Sequence, residues 1–128
     1  MPGPAKAGVL IYAKNLGTLS RFYEELLGLR VLASDNEHVV AENNDIQLVL
    51  HAMPAHLAAE VIIASPPEPR EEQAIKPFFT VACLDVAAQR AQQFGGFVFG
   101  PAWAGPGFAV RNACDPEGNI IQLRQSAA

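Results

Sequence analysis

An internal repeat constrains the fold of this chain more than any other feature of the sequence. Asn15-Leu16 and Cys83-Leu84 begin two similar amphipathic segments. The same alignment, made without a gap, also superposes Leu27-Gly28 on Gly95-Gly96. Each segment follows a short apolar stretch and precedes three strand-like stretches. This pattern indicates two copies of one supersecondary unit, each unable to bury its apolar face alone.

In the first copy, the spacing of apolar residues predicts one helix among four strands. The helix has one apolar face, formed by Leu19, Phe22, Tyr23, Leu26 and Leu27. Asn15 or Thr18 is the expected N-cap, and Gly28 suits a left-handed helix end because it lacks Cβ. The predicted strands are Val9–Tyr12, Leu29–Ala33, His38–Ala41 and Asp45–His51.

The second copy predicts the same order of elements. A helix is expected at Leu84–Phe94, and the strands at Phe78–Val81, Phe97–Phe99, Phe108–Asn112 and Ile120–Arg124. Between the copies, the prolines of Ser65–Pro69 cannot continue a helix, because proline has no amide hydrogen. We therefore predict one α+β domain over residues 1–128. Its two βαβββ modules are 7–52 and 75–125, joined by a Pro-rich linker at 53–74.

Composition and charge exclude several classes of protein. Half of the residues are hydrophobic, so a packed core is expected. The net charge of −4 and the lack of a basic cluster argue against nucleic-acid binding. No apolar run reaches the ~18 residues of a membrane helix, and the N-terminus does not resemble a secretory signal. The two cysteines, Cys83 and Cys114, show no disulfide framework, so a cytoplasmic protein with reduced thiols is expected.

Two motifs at opposite ends of the repeat resemble a known family. Phe22–Leu29 is similar to its FYxxxLGL helix end, and Asp115–Leu123 to its DPxGNxxEL turn before the last strand. The chain thus resembles the vicinal-oxygen-chelate superfamily of glyoxalases, bleomycin-resistance proteins and dioxygenases. The resemblance implies two βαβββ modules whose mixed sheets curl around a shared cleft. In the turn itself, Asp115 is expected to bond its downstream amides and Gly118 to adopt a positive φ.

In that family, four inward-facing side chains hold a divalent metal, and this sequence departs from the pattern at all four places. The motifs put the corresponding positions at Gly8, Gln47, Lys76 and Gln122. Glycine has no ligating side chain, an ammonium group repels a cation, and amide oxygens are weak donors to transition metals. We therefore expect no metal and no cofactor at these positions. The acidic residues that remain as substitute ligands are Glu37, Glu42 and Asp45.

The resemblance and the strand alternation together predict a cleft for a small molecule. Its expected lining is Tyr12, Gln47, His51, Lys76, Phe78, Trp103, Arg111 and Gln122. Several of these have a structural alternative. His51 also fits an exposed strand end, and Lys76 a side chain whose head reaches water. Trp103, expected in the 101–107 loop, fits either a stacking surface or an apolar plug.

The sequence leaves three functions open. The first is a metal-independent protein that sequesters or senses a small anionic or planar compound. The second is an enzyme of the same superfamily, either a metal-dependent lyase, isomerase or dioxygenase or a metal-free one using Lys76 or His51 as acid or base. The third is a scaffold whose cleft has lost its function. A homodimer is expected in each case, because each sheet leaves an open edge.

Overall fold

A computed structural model describes residues 4–127. Its elements repeat the order strand, helix and three strands. The first copy comprises β1 (Gly8–Ala13), α1 (Leu16–Leu27), β2 (Arg30–Ser34), β3 (His38–Glu42) and β4 (Gln47–Ala52). A short helix, α2 (Ala55–Ala58), follows. The second copy comprises β5 (Phe78–Thr80), α3 (Leu84–Gln93), β6 (Phe97–Gly105), β7 (Phe108–Cys114) and β8 (Ile120–Ser126).

The strands form two four-stranded mixed sheets with the same topology. Sheet A has the order β1-β4-β3-β2 and sheet B the order β5-β8-β7-β6. In each sheet the first strand runs parallel to the last, and the other pairs are antiparallel. The α+β fold predicted from the repeat is therefore confirmed, and the sheets are not closed into a barrel.

Both helices contribute to one hydrophobic core. From α1 come Leu19, Phe22, Tyr23 and Leu26, and from α3 come Leu84, Ala87 and Ala91. Alternate residues of the central strands complete it: Leu48, Leu50, Ile121 and Leu123. The helix caps explain where α1 begins and ends. The Asn15 side chain accepts a hydrogen bond from the Thr18 amide, and Gly28 adopts a left-handed conformation with φ 65°.

The turn between β7 and β8 joins the two modules through a buried carboxylate. Asp115 accepts hydrogen bonds from the Glu117 and Asn119 amides, as the motif predicted, and Gly118 has φ 89°. The Asp115 carboxylate also accepts a hydrogen bond from the Tyr23 hydroxyl of α1, at 2.7 Å. Both side chains are fully buried. Burial raises the pKa of Asp115, and these hydrogen bonds oppose the rise. The pKa of Tyr23 is raised mainly by burial and, to a smaller extent, by the Asp115 charge.

A second acidic residue of this turn caps α1. The Glu117 carboxylate accepts hydrogen bonds from the Lys14 and Asn15 amides, both at 2.8 Å. These amides lie just before the first turn of α1, where backbone donors and the helix dipole favour a negative group. The turn of module two is therefore fastened to α1 of module one by both of its carboxylates.

The segment between the modules is bound to the same turn. The Arg70 amide donates to the Gly118 carbonyl, and its Nε donates to the Glu117 carbonyl. The Gln73 side-chain amide exchanges two hydrogen bonds with the backbone of Ile120, at 2.7 and 2.8 Å. Because β5 begins only at Phe78, this side chain takes the place of a strand partner at the start of β8.

The strand boundaries differ from the sequence prediction mainly in β6. Trp103 was expected in a loop, but β6 continues to Gly105 and Trp103 pairs with Val110. The register of β6 shifts between Val98 and Ala102, around Gly100-Pro101, so a proline sits in the strand at an irregularity on the sheet edge. Across residues 4–127, no helix is long and apolar enough to cross a membrane.

Removing the Tyr23 hydroxyl should weaken the joint between the modules. We expect Tyr23→Phe to lower the free energy of unfolding by about 1.5–3 kcal/mol, because the lost hydrogen bond has a charged acceptor. Urea denaturation measures this loss. Tyr12→Phe is the matched control, since Tyr12 is 58% exposed, and it should change stability by less than about 0.5 kcal/mol.

The same substitution should show a pH dependence of known sign. The Tyr23 hydrogen bond lowers the folded-state pKa of Asp115, so its contribution requires the ionised carboxyl and is lost as pH falls through that pKa. The destabilisation should be largest at neutral pH and shrink as pH falls toward about 4. An effect of equal size at both ends of this range would contradict the assignment.

Candidate functional site

Each sheet has one face turned to the helices and one face turned away, which we call its open face. In β1, Val9, Ile11 and Ala13 are more buried than the alternating Leu10 and Tyr12. The strand pairing then assigns the other strands. The open face of sheet A includes Tyr12, His51, His38, Gln47 and Glu42. The open face of sheet B includes Phe78, Gln122, Arg124, Asn112, Phe108 and Trp103.

On sheet A, three rings form a continuous row across the strands. Tyr12, His51 and His38 occupy directly paired positions of β1, β4 and β3. The ring centroids of Tyr12 and His51 are 5.5 Å apart, and those of His51 and His38 are 4.4 Å apart. His51, predicted to line the cleft, thus lies on the open face. His38, which was not among the residues predicted for the cleft, lies against His51 on the same face.

The other end of this face carries a chain of polar contacts. Gln47 donates a hydrogen bond from Nε2 to Glu42 at 3.3 Å, and Arg30 donates to the other Glu42 oxygen at 3.3 Å. Glu42 is thereby paired with a cation and an amide on the same sheet. The predicted cleft residue Gln47 is on the open face, with its amide held by a neighbouring strand.

On sheet B, an arginine lies between two aromatic rings. The guanidinium carbon of Arg124 is 3.8 Å from the Phe78 ring centroid and 4.6 Å from that of Phe108. Its Nε and Nη2 both donate to Gln122 Oε1, at 3.1 and 3.0 Å. Among the residues that the structure describes, no carboxylate forms a salt bridge with Arg124. The predicted residues Phe78 and Gln122 therefore meet around a cation.

Sequence reasoning missed Arg124, although a signal was present. Two residues along a strand return to the same face, so the step from Gln122 to Arg124 follows the alternation that links Gln47 to His51. Asn112 was missed as well. It pairs with Gln122 across β7 and β8, and its Oδ1 is a buried oxygen with no hydrogen-bond partner among residues 4–127. The open face of sheet B thus carries a cationic donor, Arg124, beside this buried oxygen.

The three remaining predicted residues, Arg111, Lys76 and Trp103, differ in their surroundings. Arg111 pairs with Leu123 and shares its helix-facing side, where its Nε donates to the Phe99 carbonyl at 2.9 Å. It does not join Gln122. Lys76 is exposed, before β5 begins. Trp103 is on the open face of sheet B and 45% exposed, so it is available for stacking.

Two cavities lie where the β1 edge of sheet A approaches the second module. The larger, of about 590 Å³, is lined by β1, Met53, the 70–77 segment and the start of β8. The smaller, of about 360 Å³, is lined by Val9, the Asn43–Ile46 turn and residues 76–80. Lys76 and Phe78 line this smaller cavity, whereas Tyr12 lines the larger one. Most of the lining of both cavities is apolar, as in sites for small organic molecules.

The four positions where the family holds its metal do not fit a divalent cation. Gln47 and Gln122 offer only amide oxygens as ligands. The Gln122 oxygen already accepts from Arg124, and Gln47 is held to Glu42 through its Nε2. A Cβ added at Gly8 would lie 2.6 Å from the Gln47 carbonyl oxygen. A ligating side chain at Gly8 would therefore require the β1–β4 pair to move. Within residues 4–127, no group of three or more His, Cys, Asp or Glu side chains is arranged to hold a metal ion.

The thiols offer no activated nucleophile in this region. Cys83 and Cys114 are both free, as expected from their spacing. Cys114 is buried. This burial, and to a smaller extent the nearby Asp115 charge, raises the pKa of Cys114 to about 12. The thiolate, which is the reactive form, is thus suppressed at neutral pH, and Cys114 acts as a packing residue.

Comparison with solved structures identifies the fold, whereas no protein-family model and no curated protein matches the sequence. The chain is similar to a glyoxalase/bleomycin resistance protein/dioxygenase family enzyme from Burkholderia phytofirmans, at 16% identity and TM-score 0.67, over 92% of this chain and 95% of that one. It is similar to the fosfomycin resistance protein FosX from Mesorhizobium loti, at 13% identity and TM-score 0.66, over 96% and 92%. A bleomycin-binding protein complexed with bleomycin matches at 16% identity and TM-score 0.61, over 96% and 99%.

The steric role of Gly8 gives a direct test of the β1–β4 geometry. We expect Gly8→Ala to lower the free energy of unfolding by about 1–3 kcal/mol, because the new methyl group would meet backbone rather than a flexible side chain. Gly100→Ala is the matched control, since a Cβ there meets nothing within 4 Å. Equal stability of the two variants in urea denaturation would show that β1 accepts a side chain at this position.

Proposed function

Since the chain has the fold of the glyoxalase and bleomycin-resistance proteins, we propose that it is a metal-independent small-molecule-binding protein. It sequesters or senses a small planar compound that carries an anionic group. The observation that carries the proposal is Arg124, a guanidinium held between Phe78 and Phe108 with no carboxylate partner among residues 4–127. The two free thiols are consistent with a reducing, cytoplasmic location.

The geometry of Arg124 favours a carboxylate, phosphate or phosphonate oxygen. Gln122 occupies its Nε and one side of Nη2, so the hydrogen atoms on Nη1 and the second one on Nη2 are left for a ligand. Two parallel N–H groups match the two oxygens of a carboxylate, and such charge-assisted pairs are the stronger hydrogen bonds. The flanking rings and Gln122 fix the guanidinium plane in advance, which reduces the entropy lost on binding.

The surroundings favour a planar organic group next to the anion. Trp103 and Phe108 present aromatic surface on the same face, and the cavities at the β1 edge are mostly apolar. Two structural relatives are described as a fosfomycin resistance protein and a bleomycin-binding protein, which supports binding of small molecules on this fold.

Binding should depend on Arg124 and should persist in a metal chelator. We expect aromatic carboxylates from a small-molecule screen to bind in the presence of EDTA, as measured by calorimetry. Arg124→Met keeps the stem and removes the charge, and it should weaken binding about 10- to 100-fold, as for loss of a charge-assisted hydrogen bond. Arg90→Met is the matched control, since Arg90 is exposed on α3, away from the open faces.

Three outcomes would contradict this proposal. Equal binding by Arg124→Met and the parent would show that Arg124 does not bind the anion. Loss of ligand binding in Lys76→Met but not in Arg124→Met would show that Lys76, a cleft residue predicted from the sequence, is the anion-binding cation. One equivalent of nickel, zinc, iron or manganese that is lost on changing Gln47 or Gln122 would favour the alternative, a metal-dependent lyase, isomerase or dioxygenase.

We also propose a homodimer. Strands β1 and β5 are sheet edges, and side chains on the open faces are unusually exposed, with Leu10 at 51%, Tyr12 at 58% and Phe78 at 57%. Open edges and exposed apolar groups on adjoining surfaces favour self-association. A second copy set against these faces would also enclose the ligand from the other side.

The dimer should appear in sedimentation equilibrium at micromolar concentration, with a mass twice the 13.7 kDa of one chain. A charge placed on the exposed apolar surface, as in Leu10→Glu, should shift the equilibrium toward monomer, because a charged group is costly to bury. Val86→Glu is the matched control, since Val86 is an exposed apolar residue of α3, away from the open faces. A monomer at all accessible concentrations would exclude the homodimer.

A further inference from the structure

We infer that His38 and His51 form a two-imidazole site for a borderline transition-metal ion such as Ni²⁺, Cu²⁺ or Zn²⁺. The site lies on the open face of sheet A, four residues along β4 from Gln47, and it is separate from the four family positions considered above. It goes beyond the proposed function and does not depend on it.

Strand register brings the two imidazoles together. His38 and His51 are directly opposite on the antiparallel strands β3 and β4. The Ala52 amide donates to the Glu37 carbonyl, so the adjoining 37–52 pair is a hydrogen-bonded one. Because the two pair types alternate, His38 and His51 form a non-hydrogen-bonded pair, the type in which opposing side chains approach more closely. Their ring centroids are 4.4 Å apart.

Each ring has an oxygen partner at Nδ1, which is a feature of metal-binding histidines. His51 Nδ1 is 2.8 Å from the Ala52 carbonyl oxygen, a partner that can only accept, so Nδ1 carries the proton. His38 Nδ1 is 3.4 Å from Asp35 Oδ1, a longer contact of the same sense. Each neutral ring therefore presents the lone pair of Nε2. Metal-binding histidines usually donate their other ring N–H to a carbonyl or a carboxylate, which fixes the ring and raises its basicity.

Asp35 is held in place for this role. Its Oδ1 also accepts hydrogen bonds from the Glu37 and His38 amides, at 2.8 and 2.7 Å, and these hydrogen bonds lower the pKa of the carboxyl. Both histidines are only partly buried, so an ion can reach them from solvent.

Two nitrogen ligands define the chemistry of the ion. Imidazole suits zinc, copper and nickel, whereas calcium and magnesium require oxygen ligands. The coordination positions that the protein does not fill would be taken by water or by donor atoms of a small molecule on the same face. Tyr12, whose ring is 5.5 Å from that of His51, borders these positions.

The test is equilibrium dialysis of the untagged full-length chain against Ni²⁺ or Cu²⁺ near neutral pH. We expect one equivalent of metal per chain, and at least a tenfold loss of affinity in both His38→Gln and His51→Gln. His56→Gln is the matched control, because His56 is exposed on α2, away from this face. Glutamine keeps a polar side chain of similar reach, and thermal unfolding would verify that each variant is folded.

Further variants separate this site from the family positions and from the small-molecule site. Gln47→Ala and Gln122→Ala should leave metal affinity unchanged, because amide oxygens are weak donors to transition metals. Binding that survives the double variant His38→Gln/His51→Gln, or that disappears in His56→Gln, would overturn the inference. So would the absence of binding in the parent protein. Ligand binding in EDTA tests the proposed function independently.

Discussion

The buried contact between Asp115 and Tyr23 sets the arrangement of the whole molecule. Neither module can close its core alone, and this hydrogen bond places the last turn of module two against α1 of module one. Glu117 then caps α1, while Arg70 and Gln73 bind the intervening segment to the same turn. A buried carboxylate is costly unless its hydrogen bonds are satisfied. The donors around Asp115 explain why this turn has one geometry.

The sequence was sufficient to predict the fold because the repeat and its caps are local signals. Asn15 and Gly28 delimit α1 where their chemistry requires, and the Asp115 turn forms as its residues predicted. The extent of β6 was not predictable in the same way. Gly100-Pro101 opposes a regular strand, and the pairing of Trp103 with Val110 overrides that local preference. Tertiary pairing of this kind cannot be derived from composition or spacing.

The candidate site was predictable only as far as strand alternation reaches. Alternation placed Tyr12, Gln47, His51 and Gln122 on open faces, but it does not report contacts between strands. Arg124 is a candidate binding residue because the rings of Phe78 on β5 and Phe108 on β7 enclose its guanidinium group, and alternation along β8 does not show these contacts. The β3–β4 register likewise places His38 directly opposite His51, and the sequence alone does not give this register. Arg111 shows the opposite error, since its position in β7 turns it toward the helices.

On the proposed function, Gln122 and Arg124 act together. A divalent ion gives a cleft the positive charge that attracts an anion, and Gln122, at a family ligand position, would leave that charge missing. Here the Gln122 oxygen instead receives Nε and Nη2 of Arg124, which holds a guanidinium two residues further along β8. On this proposal, the fixed guanidinium would supply the positive charge that attracts an anion to the open face of sheet B. A metal-ligating side chain at position 8 would first have to displace the Gln47 carbonyl oxygen, because a Cβ at Gly8 would lie 2.6 Å from it.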